Sequence, residues 1–113
     1  MAKSLNFNNV AKKYFTVTLA DEKNTTVMIG MPTKALLEAL TNLDLKNAEE
    51  LENDLTALDD IFHVSAQIMS RNKGGIKISK EYLEEIWDFE DVVLFLREYM
   101  TYVTEAVSSV RKN

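Results

Sequence analysis

The sequence predicts a mainly α domain of the α+β kind, with an N-terminal β-hairpin followed by about four helices, two of them long. Three observations predict it. Residues 14–19 and 25–29 alternate apolar and polar side chains at the two-residue period of strands, with a polar Asp-Glu-Lys-Asn turn between them. Residues 47–71 and 88–110 instead repeat their apolar side chains at the helical period of about 3.6. Two shorter helical patterns and a run of breakers fill the intervals.

Residues 1–13 mix Asn, Lys and isolated apolar side chains too sparse for an element, and are read as an N-terminal arm before a single domain over 14–113. In the hairpin, Phe15, Val17 and Leu19 share one face and Tyr14, Thr16 and Thr18 the other; the second strand continues through Val27 and Ile29. A lone two-stranded hairpin is marginal in water, so it lies on the helices or extends its edge to another chain. Phe15, Val17, Val27 and Ile29 are therefore the candidate self-association residues.

Gly30 and Pro32 close the hairpin, and Thr33 can cap a short helix from Lys34 to about Asn42 whose Leu36, Leu37 and Leu40 are expected in the core. Leu43 and Leu45 anchor its exit. Asn47-Ala-Glu-Glu50 has the form of a capping box for a long helix reaching about Arg71. Its main apolar stripe is Ala48, Leu51, Leu55, Leu58, Phe62, Ser65/Ala66 and Met69. A second stripe, Ala57, Ile61, Val64 and Ile68, occupies the C-terminal half. That second stripe either widens the core or is a surface for a partner.

Asn72-Lys73-Gly74-Gly75 breaks the chain. Its glycines and neighbouring bases suggest a phosphate loop, but the GK[ST] ending and a leading strand are missing. Ile76-Lys77-Ile78 is a candidate third strand. Ser79 can cap a helix over Lys80 to Ile86, and Asp88 can cap the last helix, with Glu90 and Asp91 favourable at its positive end. From Val93 to Val110 the apolar residues of that helix fill about half its cylinder, where a helix on one neighbour needs only about 100°. It is expected to be the central element. Leu94 is a misfit on its polar side.

Charge and composition narrow the function. The 46% apolar content excludes wholesale disorder, and the absence of cysteine excludes disulfides and thiolate metal sites while favouring an intracellular origin. A net charge of -5 argues against nucleic acid as the main partner. There is no apolar run of membrane-spanning length and no secretory signal, so a soluble cytoplasmic protein is expected. Charge is uneven. Residues 47–70 hold six acids and no Lys or Arg, whereas residues 71–80 are purely basic, a pattern of plain solvation or of docking between chains.

No enzymatic constellation is present. His63 has Asp59 and Asp60 four and three residues earlier, but without a second histidine or a cysteine these read as a solvated face and no metal or other cofactor is expected. The carboxylates Glu81, Glu84, Glu85, Asp88, Glu90 and Asp91 fit helix first turns and exposed faces. What stands out is surplus apolar surface, so the candidate partner-binding residues are Ile61, Val64, Ile68 and Leu94, with Val93 and Met100 as groove lining.

The whole pattern carries a resemblance. A Leu5-Asn6-Phe7 segment before a hairpin, the Met31-Pro32-Thr33 entry to the first helix, an acidic long helix, and Ile78-Ser79-Lys80-Glu81-Tyr82-Leu83-Glu84-Glu85-Ile86 leading into Phe89 to Val110 resemble small tail assembly chaperones of long-tailed phages of Gram-positive bacteria. The resemblance spans nearly the full chain and lies in arrangement, with no catalytic motif. It implies a mainly helical protein of the bacterial host cytoplasm that self-associates, coats the hydrophobic tape measure protein until tail tube protein replaces it, and is absent from the mature virion. It transfers no binding residue position by position. Alternative readings are a structural connector or tail terminator of the virion, and a small regulatory adaptor.

Overall fold

A computed structural model describes residues 14–19, 21–43 and 55–111, and the side-chain surroundings of 14–19, 21–43 and 56–107. Among these residues the chain forms a two-stranded antiparallel hairpin followed by four helices, the mainly α architecture with an N-terminal hairpin that the pattern predicts. Strands β1 (Phe15–Thr18) and β2 (Thr26–Ile29) pair with Phe15 opposite Ile29 and Val17 opposite Val27. Helices α1 (Lys34–Thr41), α2 (Leu55–Met69), α3 (Lys80–Ile86) and α4 (Phe89–Arg111) follow. The capping box at Asn47 to Glu50, the leucines 45 and 51 and the arm over 1–13 lie outside the described residues.

The caps follow local chemistry. Thr33 Oγ1 accepts from the Leu36 amide (3.3 Å), and Ser79 Oγ from the Tyr82 amide (3.1 Å). At α4 the arrangement is reciprocal: the Asp91 amide donates to Asp88 Oδ1 (2.9 Å) and the Asp88 amide to Asp91 Oδ2 (3.0 Å). Two aspartates thus build a capping box that satisfies amides on both sides of the helix start. Such a cap contributes about 1 kcal/mol.

The hairpin turn is closed by Asp21. Its Oδ1 accepts from the Thr25 amide (2.8 Å) and its Oδ2 from the Thr25 hydroxyl (2.7 Å), while Asn24 takes the left-handed conformation at φ 51° that the turn requires. The same Oδ2 accepts from the Tyr82 hydroxyl of α3, tying the turn to a helix about sixty residues away.

The core assigns the leading role to α2, not α4. Helix α2 touches α1, β2, α3 and α4. From Ile61 to Met69 only His63 and Gln67, one turn apart, face solvent. A helix apolar at nearly all angles is one surrounded by its own chain, so the second stripe of Ile61, Val64 and Ile68 widens the core. Each such side chain contributes about 1.5–3 kcal/mol by leaving water. The exception is Ser65, fully buried, whose hydroxyl has no hydrogen-bond partner. In α1, Leu40 is buried and Leu36 half-buried, but Leu37 is exposed.

The third strand expected from the sequence does not form among the described residues. Residues Ile76–Ile78 do not pair; instead Asn72 makes a bridge to Ile29, with the Lys73 amide donating to the Met28 carbonyl (2.9 Å). The Asn72 side chain explains the shift. Its amide donates to the carbonyls of Met69 (2.9 Å) and Ile76 (2.6 Å) and its oxygen accepts from the Ile76 amide (2.8 Å), so this one residue folds the loop back on itself and holds 76 away from β2. Gly75, at φ 69°, completes the turn.

A candidate interaction surface at the hairpin edge and the distal end of the last helix

From Val92 to Val107 helix α4 carries apolar residues along one face. Val92, Leu96, Tyr99 and Val103 on that face are buried, Leu96 completely. Three turns beyond Leu96, Val107 stands within about 20° of the same direction, yet it is 40% exposed. The face of α4 continues where the described core has stopped.

The hairpin shows a matching asymmetry. Phe15, Val17, Val27 and Ile29 alternate onto the core side of the sheet, but only the β2 pair is covered: Val27 is 2% and Ile29 0% exposed, whereas Phe15 and Val17 remain half-buried. Aromatic rings join this half-open strand to α4. Phe15 lies 5.6 Å from Tyr102, 5.9 Å from Tyr99 and 6.3 Å from Phe95, and Trp87 packs 5.4 Å from Phe95. Such ring pairs add about 0.5–1.5 kcal/mol beyond area burial. The Tyr99 hydroxyl donates to the Gly30 carbonyl (2.7 Å), and burial raises its pKa well above the ordinary tyrosine value. Phe15 and Val17 on the hairpin and Tyr102 and Ala106 on α4 are half-buried apolar residues, and Val107 is exposed.

On the opposite face of the sheet, Thr16, Thr18, Thr26 and Met28 are exposed and uncharged, and the Lys73 ammonium lies 5.6 Å from the centre of the Tyr14 ring.

Charged groups are placed for structure. Hydrogen bonds from the Tyr82 hydroxyl, then from the Thr25 amide and hydroxyl, hold the Asp21 carboxyl down from 3.8 to about 2. The same contact raises the Tyr82 hydroxyl above its ordinary value. Lys80 pairs with Asp59 of α2, which raises the lysine's pKa and brings the basic 71–80 segment against the acidic helix within one chain. With Asp59 engaged there, His63 and Asp60 stand on the exposed side of α2. Among the described residues no group of three potential ligands converges on a metal position.

The partner-binding residues expected from the sequence are largely displaced. Ile61, Val64, Ile68 and Val93 are at most 6% exposed and belong to the core of one chain, because α2 has neighbours on every apolar side. Leu94 is 59% exposed, but its neighbours one turn away, Glu90, Asp91, Arg97 and Glu98, are exposed polar residues, and a single leucine makes no groove. Met100 is half-buried against the core. Of the self-association residues, Val27 and Ile29 are likewise sealed beneath the helices, leaving Phe15 and Val17.

Val107, Met28, Met31, Leu37 and Ile76 are all exposed, and none of them stood out as surface in the sequence patterns. Met28 was legible, since strand alternation puts it opposite Val27 and Ile29. Val107 was not, because a helical wheel records angle but not whether a neighbour extends that far along the axis. Comparison of the chain with models of known protein families, with curated proteins and with solved structures finds no match.

Proposed function

We propose that this protein is a non-enzymatic assembly chaperone of a phage tail, which self-associates and covers amphipathic helices of the tape measure protein in the host cytoplasm until tail tube protein displaces it. The observation that supports this reading is the apolar face of α4 that continues past its own core to Val107. A chaperone for a long helical client needs an apolar strip that another helix can lie along, modest in area so that it can be displaced later. The exposed distal face of α4 at Val107 and the half-buried Phe15 and Val17 offer apolar area of that modest kind. The arrangement resembled in the sequence points the same way. Many short strips on associated copies would hold a long client by avidity, each contact remaining weak.

Co-expression with a tape measure protein tests it. The client is expected in the soluble fraction only when this chain is present, and Val107→Lys, which places a charge in the open strip without touching the buried core, is expected to lower the soluble amount severalfold. Equal client solubility with and without the chain would overturn the proposal.

A further inference from the structure

The segment between the breaker and the last helix is tied down chiefly by polar side chains, one at every second residue. The Asn72 side chain accepts from the Ile76 amide (2.8 Å) and donates to the Ile76 carbonyl (2.6 Å). Ser70 does the same two residues on: its hydroxyl accepts from the Ile78 amide (3.1 Å) and donates to the Ile78 carbonyl (2.8 Å). Asp59 of α2 pairs with the Lys80 ammonium, and Asp21 of the hairpin turn accepts from the Tyr82 hydroxyl. Residues 76, 78, 80 and 82 are thus held from three separate parts of the fold.

Apolar anchoring of the same segment is sparse. Of the sixteen residues 73–88 only Ile78 and Leu83 are buried, against seven of the nine from Ile61 to Met69. Helix α3 has seven residues, too few to hold a helix in water by itself. Breaks stand at both ends. Gly74 and Gly75 are exposed, with Gly75 at φ 69° and open space where a side chain would stand, and Trp87 is extended at φ −117° and ψ 139°, so α3 does not run on into α4.

We infer that residues 76–87 are a strap, closed over α2 by these polar ties, which opens as a unit about Gly74-Gly75 and Trp87 while α2, α4 and the hairpin stay folded. What it covers follows from where it is tied. At the helical period Asp59, Phe62, Ala66 and Ser70 fall within about 80° of one another round α2, and the Ser70 amide still donates to the Ala66 carbonyl (2.9 Å), so the helical course reaches it. The strap is tied at both ends of that row. Phe62 and Ala66, 9% and 6% exposed, stand between the ties and beneath it. Opening bares this apolar row on the most enclosed helix of the molecule and leaves the packing of α2 on α4 in place. Local opening selects segments with few buried apolar side chains and solvent-exposed bonds, and polar ties at a surface hold weakly because water replaces each one. The strap goes beyond the function proposed above and does not depend on the client.

Native-state hydrogen exchange on the full chain tests it. The amides of Leu83 to Trp87 are expected to exchange at least about tenfold faster than those of Ile61 to Ile68, at a rate that hardly changes in low urea, the mark of an opening that exposes little surface. Asp59→Asn and Ser70→Ala each remove one tie and should speed exchange at 83–87 severalfold while leaving Ile61 to Ile68 unchanged. The sequence has no native cysteine, so an added thiol reports on the covered row. Ala66→Cys should be alkylated about tenfold or more faster than Ser65→Cys, fully buried on the same helix but about 100° away from the row. Adding Asp59→Asn should speed the first cysteine alone. Exchange at 83–87 no faster than at Ile61 to Ile68, equal speeding of both regions by the two substitutions, or equal alkylation of the two cysteines would show that the segment opens only with the whole fold, and overturns the strap.

Discussion

At Ile68 of α2 and Val107 of α4, two β-branched side chains stand on the apolar arcs of their helices, 1% and 40% exposed. Nothing in the residue types separates them; their neighbourhoods do. Helix α2 lies among α1, β2, α3 and α4, so each apolar direction meets another element, whereas on α4 the buried core ends at Val103 and the helix continues beyond it. In sequence the broader arc belongs to α4, and breadth alone suggested that α4 was the hub. Breadth measures how many directions a helix can bury, but the number of neighbours decides how many it does bury.

The largest test of this contrast is Ile68→Ala, which should cost about 2–5 kcal/mol in urea unfolding, because a surrounded site cannot collapse onto the cavity. Val107→Ala should cost less than about 0.5 kcal/mol in the same assay. Similar losses at the two positions would break the distinction. An intermediate effect is expected where α4 begins: Asp88→Ala removes the acceptor for the Asp91 amide and should cost about 1 kcal/mol. That loss would show that α4 depends on its own cap where α2 depends on its surroundings.

The smallest expected effect concerns the link between the hairpin turn and α3. Asp21 has its folded pKa lowered to about 2 from 3.8, so its contribution to stability is fully present above about pH 4 and is lost as pH falls through about 2. Acid unfolding of Asp21→Asn should therefore run closest to that of the wild type at the lowest pH and diverge from it, in the wild type's favour, as pH rises from about 2 to about 4, the gap staying constant above that. Tyr82→Phe should shrink the same divergence by removing the first of the groups that hold the carboxyl down. Curves of the wild type and Asp21→Asn separated equally at every pH would show that the carboxylate's charge has no part in the link.

Much of the site was readable only in part. Phe15 and Val17 stand out by alternation, but the same rule applies equally to Val27 and Ile29 and does not distinguish the half-buried strand from the sealed one. That difference arises because α2 packs on β2 and seals Val27 and Ile29, whereas Phe15 of β1 meets the rings of α4 and stays half-buried. For Ile61, Val64 and Ile68 the two available readings, a wider core or a partner surface, share one sequence pattern. Apolar periodicity is the same whichever chain supplies the opposing atoms.

By itself, the sequence determined the elements and their ends, since these depend on interactions within a few residues: Thr33 and Ser79 as caps, Asp88 with Asp91, the period-two strands and the breaker at Asn72. Tertiary structure alone decided which apolar surface faces inward. It made α2 the centre, joined Asp21 to Tyr82 and Lys80 to Asp59, and left β1 and the end of α4 half-covered. The physical reason is range. A cap or a turn is closed by its own neighbours, but burial is a property of distant segments meeting, and its outcome depends on how far each one reaches.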